Sequence, residues 1–252
     1  MSMRQWISRR WKGGIVAAGL CAVGLGIGGG LTAAEPAGDG FVPLFNGTSL
    51  EGWDGDPKFW RVENGVIVGE STKENVVPHN TFLIWRGGEV ENFEITFEYR
   101  MSPEANSGLQ YRSFEAPGTQ WVVGGYQADV DGSLKYSGIV YGEKDRGILA
   151  QRGTRTIINK DGKPQVDATF GSGEELATVI RKDEWNAFHV IAQGNKLTHK
   201  INGVRMSEVI DEDDVVTTPG EKGARTKGIV ALQLHKGPAM KVEFRNIRLK
   251  RM

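Results

Sequence analysis

Between Asn106 and Glu143 the chain gathers side chains that could bind and transform a small polar molecule. The stretch reads NSGLQYRSF, then a loop, then GGYQADVDG, then SGIVYGE. Read as short strands, alternation puts Gln110 and Arg112 on one face and Leu109 and Tyr111 on the other. It likewise separates Gln127 and Asp129 from Tyr126, Ala128 and Val130. Near the C-terminus, Ala231, Gln233 and His235 share the face opposite Val230, Leu232 and Leu234. His235 then falls at a strand end before Lys236-Gly237-Pro238, where an imidazole could act as base or metal ligand. Glu98, Arg100, Arg112, Gln127, Asp129, Gln233 and His235 form the expected convergent set, with Asn106 as a further substrate-binding candidate. Tyr141 and Glu143, in the YGE turn, are candidates for an acid and an orienting group. Asp129, Glu98 and His235 together could hold a divalent cation as a Lewis acid, although no fixed ligand spacing marks such a site. The same residues are equally consistent with the solvated face of an antiparallel sheet, which is what most such faces are.

The other histidines have different expectations. His199 shares its face with Leu197 and Ile201 and reads as a core histidine. His189 alternates away from Phe188 and Val190 and reads as exposed. His79 follows Pro78 in a loop, where alternation assigns it no face. Trp53, Trp60 and Trp185 sit in motifs that read as core.

The elements that must position these groups are strands. Phe93–Met101 alternates Phe93, Ile95, Phe97, Tyr99 and Met101 against Glu94, Thr96, Glu98 and Arg100. Asn64-Gly65 marks a hairpin turn. Gly194-Asn195 and Asn202-Gly203 divide a three-strand meander from Trp185 to Val209, and two strands around Lys236-Gly237-Pro238 close the chain. Residues 151–175 read as a polar excursion, a surface insertion or a wall of the site. No stretch has a long helical period. Many short strands predict an all-β, antiparallel β-sandwich of about a dozen strands, forming one domain over residues 41–252.

Composition narrows the function classes. Of 31 basic and 31 acidic residues, four basic ones (Arg4, Arg9, Arg10, Lys12) and no acidic one lie within residues 1–34. The remainder is mildly acidic and gives no reason to expect a nucleic-acid partner. The single cysteine, Cys21, leaves the rest without an internal disulfide or a Cys-based metal site. Residues 1–34 have the basic, apolar and small-residue layout of an export signal, and Ser8-Arg9-Arg10-Trp11-Lys12 is similar to the twin-arginine motif. An uncleaved anchor helix is the alternative, which the eight glycines between Gly13 and Gly30 disfavour. Export predicts a periplasmic or extracellular protein, with no stable membrane insertion after cleavage.

Several motifs coincide with one family. PLFNGTSLEGW (43–53), FEITFEYRMSPEANSGLQYR (93–112), GGYQADVDG (124–132), SGIVYGE (137–143), EWNAFHVIAQGNKLTHKINGV (184–204) and GIVALQLHKGPAMKVEFRNIRLK (228–250) resemble the 3-keto-disaccharide hydrolase domain family. They follow its order across nearly the whole chain after the signal. The resemblance implies a concanavalin A-like jelly-roll sandwich with a carbohydrate site on its concave sheet, acting on glycosides already oxidised to a ketone at C3. Many relatives carry Glu and Gln where this chain has Gln127 and Asp129.

A C3 ketone acidifies the C2 hydrogen. A base, a donor to the enolate oxygen and an acid for the leaving group then suffice for elimination, and hydration completes net hydrolysis. The paired carboxylates of ordinary glycosidases are not required. On this reading Trp121 could stack on a sugar face. A non-catalytic, lectin-like carbohydrate-binding domain is the alternative, since one fold serves both.

Overall fold

The computed structural model describes residues 38–252; the segment read as an export signal, with Cys21, lies outside them. Among the described residues the chain forms β1 (Val42–Pro43), β2 (Trp53–Asp54), β3 (Trp60–Glu63), β4 (Val66–Ser71), β5 (Thr81–Val90), β6 (Phe93–Met101), β7 (Asn106–Glu115), β8 (Val123–Asp131), β9 (Val140–Glu143), β10 (Gly147–Ala150), β11 (Thr154–Ile158) and β12 (Pro164–Thr169). The short helix α1 (Gly173–Ala177) follows, and then β13 (Asn186–Gln193), β14 (Lys196–Ile201), β15 (Val204–Asp211), β16 (Gly228–Leu234) and β17 (Met240–Arg251).

These strands make two sheets. A ten-stranded sheet runs β12-β11-β15-β14-β13-β6-β17-β4-β3, with β1 also on β17; a seven-stranded sheet runs β10-β9-β8-β7-β16-β5-β2. Pairing is antiparallel except between β11 and β15. The fold is an all-β sandwich of the jelly-roll type. The segment expected to be an excursion is instead strand: β11 and β12 extend the edge of the ten-stranded sheet. Its polarity follows from that edge position, since β12 is exposed along most of its length.

Alternation builds the core. In β6 the aromatic and aliphatic residues are buried and the intervening polar ones half-buried. Phe97 stacks on Phe188 of β13 with ring centroids 5.1 Å apart. From the facing sheet come Leu109, Tyr111, Tyr126, Ala128, Val130, Val230, Leu232 and Leu234, all within the same core cluster. Burying each such side chain stabilises by roughly 1.5–3 kcal/mol relative to exposure. At the hairpin turns Asn64-Gly65 and Asn202-Gly203, both residues take positive φ, which tight hairpins require.

His199 is a core histidine as expected. It is 0% exposed. One ring nitrogen, Nδ1, lies 3.0 Å from the Ile139 carbonyl, and Nε2 lies 2.9 Å from the Tyr111 hydroxyl. Nδ1–H therefore donates to the carbonyl and Nε2 accepts from the phenol, a fully paired neutral imidazole. Burial depresses its pKa to about 3. His189, expected to be exposed, is half-buried on the outer face of the ten-stranded sheet, 2.8 Å from Glu94.

That outer face also holds two residues expected at the site. Glu98 accepts from Arg245 at 2.7 Å and Asn246 at 2.9 Å, and Arg100 donates to Glu243 at 2.6 Å. Both alternate away from the core as read, but β6 belongs to the ten-stranded sheet, so they face away from the candidate site. Trp185 is likewise outside the core: the guanidinium groups of Arg100 and Arg245 lie 5.0 Å and 4.0 Å from its ring centroid.

Candidate active site

The register of the seven-stranded sheet lines up polar side chains in rows on its outward face. One row runs Asp129, Gly108, Gln233 and Phe82 across β8, β7, β16 and β5. The next runs Tyr141, Gln127, Gln110, Ala231 and Ile84 from β9 to β5. These residues do not form a solvated face: Gln110, Gln127 and Gln233 are 0%, 2% and 0% exposed. Buried amides must be hydrogen-bonded, and these are bonded to one another.

The bonds run in a consistent direction. Ser113 Oγ donates to Gln110 Oε1 at 2.7 Å, and Gln110 Nε2 donates to Gln127 Oε1 at 2.6 Å. Gln127 Nε2 donates both to Asp129 Oδ1 and, at 3.2 Å, to Gln233 Oε1. Gln233 Nε2 donates to Glu143 Oε2 at 3.4 Å, and Asn80 Nδ2 to Glu143 Oε1 at 3.2 Å. The backbone N–H of Lys236 donates to Asn80 Oδ1 at 3.1 Å. The chain of amides thus ends on two carboxyl groups. Gly108 makes room for it, because a Cβ there would lie 2.7 Å from Gln127 Cγ and 2.8 Å from the Ala128 carbonyl.

Above this floor is a pocket of about 300 Å³ lined by Asn80, Asn106, Gln127, Asp129, Tyr136, Ile139, Tyr141, Glu143, Ile148, Gln233 and His235. Asp129 and His235, 106 residues apart, border the same pocket. Burial pushes the Asp129 carboxyl well above the usual range; its hydrogen bond from Gln127 opposes the shift, and the charges of Glu143 and Asp131 add to it. Burial also raises Glu143, against the hydrogen bonds from Asn80 and Gln233 and the charge of Lys144. Tyr141 is raised by burial and by both carboxylates, and stays a neutral O–H donor. The Nδ1 of His235 lies against the Lys236 carbonyl, which fixes Nδ1 as the N–H in the neutral ring and leaves Nε2 basic. A cavity of about 350 Å³ at another place, lined by Tyr99, Met101, Leu134 and Ile180 among others, shares no residue with this pocket.

Two further expected site residues lie elsewhere. Arg112 sits at a break in the β7–β8 register with φ 46°. This bulge turns its side chain off the Gln110 face. It is 2% exposed and donates to the carbonyls of Glu91 at 2.6 and 2.8 Å and Gly194 at 2.8 Å, tying strand-connecting turns together. Ser113 takes over the outward-facing contact to Gln110. Trp121 donates from Nε1 to Asp54 at 2.8 Å and covers an apolar patch of Phe82, Ile84, Val123 and Ala231, so it does not line the pocket. The expected cation set is not assembled, because Glu98 is on the other sheet. Among the described residues no three His, Cys, Asp or Glu side chains are grouped to hold a metal ion.

Asn80, Tyr136, Ile139 and Ile148 were not expected. Asn80 comes from the loop before β5, and nothing in its sequence neighbourhood points to a pocket. Tyr136 and Ile139 belong to the β8–β9 loop, whose aromatic and apolar residues had no period to place them. Ile148 lies in the Arg146-Gly147-Ile148-Leu149 segment, and alternation from Leu149, which is buried, would have turned it outward.

The site is a face of amides, carboxyls and one imidazole on a jelly-roll sandwich. The chain belongs to the 3-keto-alpha-glucoside-1,2-lyase-like domain family, whose model matches residues 40–250. This places it among carbohydrate-acting domains. Among solved structures it is similar to a candidate glycosyl hydrolase from Parabacteroides distasonis, at 20% identity and TM-score 0.52, covering 85% of this chain and 94% of that one. It is also similar to the carbohydrate-binding module CBM66 from Bacillus subtilis, at 14% identity and TM-score 0.50, covering 79% and 95%. A Bacillus subtilis protein with a galectin-like fold matches at 12% identity and TM-score 0.50, covering 80% and 90%. At these identities the likeness is one of fold. No curated protein matches the chain.

Proposed function

We propose that this protein is an exported enzyme that cleaves 3-keto-glycosides by elimination across C1–C2, followed by hydration. The observation that carries this reading is the meeting, in one pocket, of a basic imidazole nitrogen, a phenol and two carboxyls held toward their neutral forms. Residues 1–34 serve as the export signal. Family membership supports the substrate class.

His235 Nε2 takes the C2 proton, and the C–H electrons form the C2–C3 double bond of an enolate. Tyr141 donates to the oxygen at C3, with Asn106 as a further donor on the pocket wall. The enolate collapses to a C1–C2 double bond as the C1–O bond breaks. Asp129, whose protonated form is favoured by burial, gives its proton to the departing oxygen. Water then adds at C1 and returns a proton to Asp129, while the imidazolium reprotonates C2. Glu143 fixes Gln233 and Asn80, and Gln127, braced by Gln110 and Gln233, holds the Asp129 carboxyl in place. Positioned acid–base groups of this kind contribute about 10²- to 10⁴-fold each.

The test is to incubate the protein with a 3-keto-disaccharide and follow released sugar and the enone absorbance. Release of sugar, with deuterium uptake at C2 in heavy water, is the expected result. Binding of an unmodified polysaccharide with no turnover of the 3-keto-disaccharide would replace the proposal with the carbohydrate-binding alternative.

A further inference from the structure

The Asn80–Glu143 hydrogen bond is a wall shared by two pockets. On its far side is a second pocket of about 360 Å³ lined by His79, Asn80, Thr119, Val122, Glu143, Lys144 and Lys236. Four connections converge there: β4–β5 brings His79, β7–β8 brings Thr119, β9–β10 brings Lys144 and β16–β17 brings Lys236. Lys144 follows Glu143 directly and holds φ 52°. The Lys236 backbone is anchored on Asn80.

The pocket sets two lysines against a single carboxyl. Elsewhere among the described residues Lys160, Lys163, Lys196, Lys227, Lys241 and Lys250 each reach a carboxylate, while Lys58, Lys73, Lys135, Lys182, Lys200 and Lys222 do not. Lys144 and Lys236 are exposed and take part in no ion pair among the described residues. The only carboxyl lining the pocket is Glu143, and both its oxygens already accept hydrogen bonds from Asn80 and Gln233. Two ammonium groups without an ion pair, an imidazole and a hydroxyl therefore line a space next to the reacting pocket, whose one carboxyl, Glu143, feels the Lys144 charge but already accepts two hydrogen bonds.

We propose that this second pocket is a cationic subsite for an anionic group, a uronate carboxylate or a sulfate ester, carried by the sugar unit attached to the reacting ring. The inference rests on the reading of the first pocket as the site of glycoside cleavage. Lys144 and Lys236 bind the anion from opposite walls, and Thr119 and His79 donate hydrogen bonds to it.

The test compares three 3-keto-disaccharides that differ only in the second sugar: neutral, uronate and sulfate ester. The full chain is assayed as wild type and as Lys144→Asn/Lys236→Ala; asparagine tolerates the positive φ at residue 144, and alanine keeps the Lys236 backbone N–H. Two solvent-facing ion pairs predict a preference in kcat/KM of about three- to tenfold for an anionic substrate over the neutral one at low salt. The preference falls toward parity near 1 M salt, where screening acts over about 3 Å. In the double variant the anionic-to-neutral ratio falls to about one. Which anion shows the larger ratio separates carboxylate from sulfate. A ratio near one in the wild type, or one unmoved in the variant, overturns the subsite. If no disaccharide is turned over, the cleavage reading fails instead, and calorimetric titration with the same three compounds decides the subsite. Tighter binding of an anionic compound that the double variant loses upholds it, and equal binding of all three overturns it.

Discussion

Replacing Gln127 by leucine tests the amide network directly. Gln127 accepts from Gln110 and donates to Asp129 and Gln233; leucine keeps much of the volume and removes all three bonds. If every partner stayed dry, three orphaned groups would each cost about 1–3 kcal/mol. Asp129 lines the pocket and is 5% exposed, so water can take the place of the lost amide there. Gln110 and Gln233 are both 0% exposed, so the NH₂ of one and the Oε1 of the other are left without a partner. The expected loss is therefore that of two groups, about 2–6 kcal/mol, which for a domain of this size is a fall in Tm of roughly 4–24 °C. Urea and thermal denaturation measure it. A second readout is the pH profile of kcat/KM. The Gln127 bond favours ionised Asp129, so its loss raises the Asp129 pKa further and moves the alkaline limb of activity to higher pH. Stability within about 0.5 kcal/mol of wild type would refute the buried network. A loss well beyond about 6 kcal/mol would mean that the pocket collapses instead of two groups losing their partners.

Asp129→Asn and His235→Ala should each lower turnover of a 3-keto-disaccharide by about 10²- to 10⁴-fold with near-native circular dichroism; wild-type turnover by either variant removes that residue from the mechanism. His199→Ala should destabilise by about 2–4 kcal/mol through lost packing and two lost hydrogen bonds, measured by urea unfolding, with kcat per folded molecule nearly unchanged. Because the unfolded imidazole takes up a proton near its ordinary 6.5 and the folded one only near about 3, wild-type stability should fall as pH drops through that window. His199→Gln should flatten that part of the pH–stability curve, and an unchanged slope would show that His199 is not held neutral. Arg112→Lys should cost about 2–4 kcal/mol, since an ammonium cannot reach all the carbonyls the guanidinium holds, while leaving KM for the disaccharide unchanged; a raised KM would return Arg112 to the site.

Alternation along single strands was enough to put Gln127 and Asp129 on one face, Gln233 and His235 on another, and His199 in the core, because successive side chains must point to opposite sides of a sheet. The family was also legible, because its motifs run in order along nearly the whole chain after the signal. Alternation says which residues share a face, but not which sheet a strand joins. Glu98 and Arg100 alternate outward as read, yet β6 pairs with β13 and β17 in the sheet away from the pocket. Nor does it survive a bulge: the break at Arg112 turns the guanidinium from the Gln110 face to the backbone carbonyls of Glu91, Gly194 and Arg225. Asn80, His79, Lys144 and Lys236 come from loops with no period to read, and only the folding of the two sheets brings them together. Which polar face becomes a pocket was thus decided by strand order and loop placement, which depend on contacts between residues far apart in the chain.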